Sequence, residues 1–122
     1  MSDIRDLMIT EPLICTPLTS IDNIIKIMED NNTNEIMVVD TIFEKHLVGK
    51  IYGNDISAKS IDQSVSPGAL NAEQVMRPVT VTMRETATEK ECLRLMDLNQ
   101  IDELAIVDEE GHLCGIYNRQ IH

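Results

Sequence analysis

Sliding this sequence along itself by 68 residues puts Glu35-Ile36-Met37-Val38-Val39-Asp40 onto Glu103-Leu104-Ala105-Ile106-Val107-Asp108. The same offset matches Leu7-Met8 with Val75-Met76, Ile24 to Met28 with Cys92 to Met96, and Asn31 with Asn99. The turn TIFEK in the first copy carries two extra residues. An offset of 66 then restores His46-Leu47 to His112-Leu113 and Gly49 to Gly115. A duplication of this kind is the strongest constraint on the fold, because one supersecondary unit must serve twice.

Each copy predicts the order β-α-β-β-α. The runs LICT and VTVTM are short and β-prone, and a helix follows each, with Ser20 and Thr88 as N-caps. Ile21, Ile24, Ile25 and Met28 fall at i, i+3, i+4 and i+7, and Cys92, Leu93 and Met96 repeat the stripe, so each helix buries one face. The pairs Asn31-Asn32 and Asn99-Gln100 end the helices. EIMVVD and ELAIVD are too short for helices and rich in branched residues, which predicts buried strands. Turns at Glu44-Lys45 and Glu110-Gly111 lead to the returning strands LVGKIY and LCGIY, and NDISAKSI begins a short closing helix. The polar stretch Asp62–Asn71, rich in Ser, Pro and Gly, reads as a linker. The expected organisation is repeat 1 over residues 1–61, a linker over 62–71, and a C-terminally short repeat 2 over 72–122. One unit of about sixty residues leaves apolar sheet uncovered, so two copies pairing face to face make the natural core.

Composition narrows the function. Acidic residues outnumber basic ones 21 to 10, giving a formal charge of −11, and aromatics are 2% of the chain. Phosphate backbones are held by Lys and Arg, and single strands by stacking rings, so nucleic acid and anionic membrane are disfavoured partners. Cys15, Cys92 and Cys114 are odd in number and have no CxxC spacing, which fits buried thiols in a reducing, cytoplasmic compartment. The start MSDIRDLM lacks the basic and apolar regions of a signal peptide, and no apolar run is long enough to span a membrane. With no GxSxG, HExxH or phosphate-binding loop, an enzyme is not expected.

DLMITEP and QVMRPV, PLTS and ETAT, the V-V-D strand ends, and a closing Gly followed by an acid six residues later together resemble the cystathionine beta-synthase (CBS) domain. The duplication resembles the tandem pair called a Bateman module. The resemblance implies an α+β fold of two β-α-β-β-α repeats packed face to face with pseudo-twofold symmetry. It also implies an adenosine-containing ligand (AMP, ADP, ATP or S-adenosylmethionine) in an inter-repeat cleft, bound as a regulator and not as a required cofactor. Asp55 takes the family's ribose position, where a carboxylate can accept two hydrogen bonds from a 2′,3′-diol. Tyr52 stands in the Ser/Thr position and Asn54 where many members have a basic residue. In the second copy Asn118 replaces the hydroxyl residue, Ile121 replaces the acid, and His122 ends the sequence. Ile14, Thr16, Met37 and Thr82 occupy further ligand-facing family positions, and Lys50 or Arg119 is the better candidate for a phosphate.

Structural roles compete with these. Asp55 would serve as a helix-start acid and Tyr52 as strand-end packing. His46 and His112 read as solvated turn residues, with no metal site, and the Met residues as core filling. The net charge shifts the ligand toward AMP, adenosine or a zwitterionic adenosine derivative. The expected protein is a stand-alone, homodimeric regulator that signals to an unidentified effector protein. The alternative is a structural CBS module without ligand that acts through homodimerisation.

Overall fold

Ser20 and Thr88 open the two long helices as the repeat demands. Each accepts a hydrogen bond from the backbone N–H three residues on, Asn23 at 3.3 Å and Glu91 at 3.2 Å. In the computed structural model, which describes residues 3–119, these helices are α1 (Ile21–Asp30) and α4 (Glu89–Asn99). Both stop at a matched asparagine. Asn31 Nδ2 donates to the Ile27 carbonyl at 2.8 Å and Asn99 Nδ2 to the Leu95 carbonyl at 2.9 Å, satisfying carbonyls that the helix end leaves open.

Strands β1 (Ile14–Cys15), β2 (Glu35–Val39) and β3 (Leu47–Tyr52) form one sheet in that order, and β4 (Thr82–Arg84), β5 (Glu103–Val107) and β6 (Leu113–Asn118) form the other. In each sheet the first pair is parallel and joined by the long helix, and the second is antiparallel and joined by a turn. A register shift falls at Val38/Val39 in one and at Ile106/Val107 in the other, which are equivalent positions of the repeat. The fold is α+β. Helix α2 (Gly53–Gln63) closes the first repeat, whereas the corresponding residues of the second, Ile121 and His122 included, lie outside the described chain.

The compact units do not follow the repeat boundaries. One unit is Leu13–Val79; the other joins the chain through Pro12 to the chain from Thr80 onward. The repeats thus exchange their leading segments. In the Leu13–Val79 unit, α3 (Ala72–Val75) starts at Asn71, and backbone bonds run from Ile21 N–H to the Leu70 carbonyl (3.0 Å) and from Ala72 N–H to the Thr19 carbonyl (2.9 Å). In the split unit a single 3₁₀ turn, Ile4–Asp6, takes the equivalent place, with Ile4 N–H donating to the Ala87 carbonyl at 3.1 Å. Ala72 and Val75 are buried with Ile24, Ile36, Val38 and Ile51, and Ile4 is buried with Cys92, Leu104, Ile106 and Tyr117. The stretch Asp62–Asn71 is correspondingly not a loose tether. Helix α2 extends into it, Pro67–Ala69 form a 3₁₀ turn, and Leu70 is buried.

The exchange explains the paired Met and Gly landmarks. A Cβ on Gly49 would lie 3.0 Å from the Arg77 carbonyl oxygen and 2.9 Å from Met76 Sδ; one on Gly115 would lie 2.6 Å from the Ile9 oxygen and 2.7 Å from Met8 Sδ. Only glycine admits the leading backbone this closely. Gly49→Ala is expected to destabilise the protein by about 1–2 kcal/mol and Gly115→Ala, with the tighter backbone contact, by about 2–3 kcal/mol in urea titrations. Equal, negligible effects would contradict the packing described.

Candidate functional site

In the Leu13–Val79 unit, cross-strand pairing aligns four residues in one row: Ile14 opposite Met37, Met37 opposite Lys50, and Lys50 opposite Arg77. Ile36, Val38 and Ile51 point into the helix-side core, so strand alternation puts Met37, Lys50 and Tyr52 on the opposite face. The backbone of Arg77 is held to Lys50 by two bonds, N–H to the Lys50 carbonyl at 2.9 Å and carbonyl to the Lys50 N–H at 3.0 Å. This row brings two cations to the end of β3.

Helix α2 begins immediately beyond, and its third residue is Asp55. The Asp55 carboxylate accepts from the Tyr52 N–H at 3.2 Å, half of a capping box that fixes the acid at the helix start. It also receives a forked pair from Arg77: Nε to Oδ2 at 3.0 Å and a terminal guanidinium nitrogen to Oδ1 at 2.5 Å. Lys50 Nζ lies 4.6 Å and the Arg77 guanidinium carbon 5.1 Å from the centre of the Tyr52 ring, within cation–π range. Burial pushes the Asp55 pKa up, but the Arg77 hydrogen bonds, the Tyr52 N–H and the Arg77 charge outweigh it and leave the carboxyl below its usual range. The site therefore presents an ionised carboxylate, two cations and a ring.

Five of the residues singled out in the sequence, Ile14, Met37, Lys50, Tyr52 and Asp55, share this region. Asn54 is exposed in the first turn of α2, and Thr16 sits beyond β1 in a turn closed by its N–H on Thr19 Oγ1 at 3.0 Å. Thr82, Asn118 and Arg119 belong to the split unit. There Thr82 begins the equivalent row, Thr82–Ala105–Ile116–Ile9, which contains no cation. Asn118 pairs with Glu103 at the end of β6, and Arg119 is engaged by Asp97 at 2.8 Å and the Ile101 carbonyl at 3.0 Å, closing the end of α4. Arg77 escaped the sequence reading. Its signal was its place after the landmark Met76, where the first copy has Ile9 after Met8.

His46 and His112 do more than line turns. Asp40 Oδ1 accepts from the His46 N–H at 2.9 Å while Oδ2 meets the ring Nδ1 at 2.8 Å, and Asp108 holds His112 in the same way at 2.9 and 2.9 Å. Each pair clips the β2–β3 or β5–β6 turn. The three cysteines are free, and burial pushes the Cys15 thiol up to about 12, far from a reactive thiolate. A separate groove of about 640 Å³ on the helix side is lined by Ile25, Met28, Glu29, Asn34, Gly53 and Ile56 among others, with no cation to meet a phosphate.

A sequence model of the CBS domain matches residues 4–60 and 72–120. An uncharacterized protein of Methanopyrus kandleri is 28% identical over 93 residues, which is 76% of this chain and 46% of that protein. The chain spans less than half the length of the curated relatives it matches first. Among solved structures, the CBS domain pair of protein MJ0100 in complex with 5′-methylthioadenosine and S-adenosyl-L-methionine is similar with a TM-score of 0.77, 25% identity, and coverage of 98% of this chain and 91% of that one. CBSX2 in complex with AMP gives a TM-score of 0.80 at 21% identity, covering 98% and 92%.

Because the folded Asp55 titrates below its ordinary value of 3.8, its stabilising effect is present above that value and is lost as pH falls through the depressed one. Asp55→Asn should therefore be less stable than the parent by about 1 kcal/mol at neutral pH. The gap should close as the pH is lowered from about 4. Denaturant titrations across that range would detect it; a gap that persists unchanged into acid would contradict the ion-paired carboxylate.

Proposed function

We propose, because the chain belongs to the CBS domain family, that it is a regulatory CBS pair. In this reading it binds an adenosine-containing ligand chiefly through the Leu13–Val79 unit and passes the occupancy on to a partner protein. The observation that carries it is the placement of Asp55. A carboxylate kept ionised at the first turn of α2, beside Tyr52, Lys50 and Arg77, has the acceptors for a ribose diol and adjacent cations for a phosphate. Two similar structures hold adenosine compounds, AMP in one and methylthioadenosine with S-adenosylmethionine in the other. The net charge of −11 favours a ligand with few negative charges, such as AMP or a zwitterionic derivative, over ATP. The role is binding, not catalysis. Three free cysteines with Cys15 buried suit a reducing cytoplasm, and no described helix is long and apolar enough to cross a membrane.

One observation favours a second reading, a structural CBS module that works without ligand as a homodimer. The Asp55 oxygens are already engaged by Arg77 and Tyr52, and by sequence the other repeat has Ile121 where the acid would stand.

Calorimetric titration and thermal unfolding with AMP, ATP and S-adenosylmethionine separate the two. Binding should stabilise the folded chain by about 2.7 kcal/mol at a hundredfold excess over the dissociation constant. Asp55→Ala should abolish the response. Silence with all three ligands at millimolar concentration would remove the ligand-binding reading and leave the structural one.

A further inference from the structure

The two oxygens that would receive a ribose diol are the two that Arg77 occupies. A diol and a guanidinium fork are both paired donors, and Asp55 Oδ1 and Oδ2, held 3.0 Å or less from Arg77 nitrogens, cannot serve both in full. The Arg77 side chain is 55% exposed, and its main chain is pinned independently by the two bonds to Lys50. The guanidinium can therefore swing off the carboxylate without moving the backbone. Once displaced it would stand in solvent unless an anionic group of the ligand met it, and Lys50 already places a second positive charge at the same ring.

The duplication supplies an internal comparison. At the position equivalent to Arg77 the split unit has Ile9, and at the position equivalent to Asp55 the sequence has Ile121. Lys50 corresponds to Ile116. Acid and cations are present together in one copy and are all replaced by isoleucine in the other, as expected if they act as a set.

We propose that Arg77 is the specificity-determining residue of this site, an internal plug on the Asp55 carboxylate that yields to an anionic nucleoside monophosphate in preference to the neutral nucleoside. The inference rests on the adenosine-binding reading above. A ribose diol takes over the carboxylate in either case, but only a ligand that brings its own phosphate gives the released guanidinium a counter-charge. The nucleoside leaves Arg77 without one, so its binding carries the whole loss of the fork.

The test is calorimetric titration of the full chain, of Arg77→Met and of Arg77→Lys with AMP and with adenosine. Methionine keeps an unbranched stem beside Tyr52 and removes the fork; lysine keeps the charge and loses the fork. The parent should prefer AMP to adenosine by about tenfold or more. In Arg77→Met adenosine should bind about fivefold tighter than to the parent, and the preference for AMP should largely vanish. Arg77→Lys should recover part of that preference. A parent that binds neither ligand while Arg77→Met binds adenosine would overturn the monophosphate preference, because Arg77 would then not yield to AMP. An AMP-to-adenosine ratio unchanged between parent and Arg77→Met would overturn the plug and leave the adenosine reading intact. No binding by any of the three chains would overturn both.

Discussion

Where Gly49 and Gly115 lack side chains, a carbonyl oxygen of the leading segment fills the space: Arg77 O in one unit and Ile9 O in the other. This close approach lets the leading backbone pair with the returning strand, Arg77 with Lys50 and Ile9 with Ile116, and so extends each three-stranded sheet by one bridge. It also commits each repeat to complete the core of the other. Ala72 and Val75 lie among the buried residues of the first sheet, and Ile4 among those of the second, so neither repeat owns a finished core. At about sixty residues a single repeat would bury little apolar surface in any case, and the exchange of segments turns that weakness into mutual dependence.

The same contact decides what the sheet presents at its edge. The residue after the landmark methionine is delivered to the end of a cross-sheet row, and the backbone geometry is alike in the two copies whatever that residue is. In the split unit the row ends in Ile116 and Ile9; in the Leu13–Val79 unit it ends in Lys50 and Arg77. The scaffold elements repeat almost without change, including the aspartate–histidine clips, the asparagine caps and the strand irregularity. Divergence is concentrated where side chains leave the scaffold, which is where a site can differ without disturbing the fold.

Much of this was legible in the sequence. The offset of 68 residues, the i, i+3, i+4, i+7 stripe on α1 and the four-residue apolar runs gave the element order and the helix starts, because these signals are local. The exchange of leading segments was not legible, since it depends on which returning strand a segment reaches and not on its own periodicity. For the same reason the burial of Leu70 within Asp62–Asn71 was not legible, since Val65, Ala69 and Leu70 carry no period. Arg77 stands 22 residues from Asp55 and was hidden by that distance, whereas Lys50 was found because it lies on the strand that leads to Asp55. The histidines were underrated because a turn two residues longer in one copy separates Asp40 from His46 more than Asp108 from His112, masking a shared clip.

The energetics of the Asp55–Arg77 pair fit a contact that can open without disturbing the fold. Arg77 is more than half exposed, so water and salt screen the pair and its net worth falls within the range of surface ion pairs, about 1 kcal/mol or less. A fork that weak can be displaced by a ligand of modest affinity. The Tyr52 N–H bond is different in kind: it belongs to the start of α2 and remains when the guanidinium leaves. Asp55 is thus anchored by the helix and only shielded by the arginine. The helix-start bond orients the carboxylate, while the Arg77 fork, with the Tyr52 N–H second to it, keeps the acid ionised.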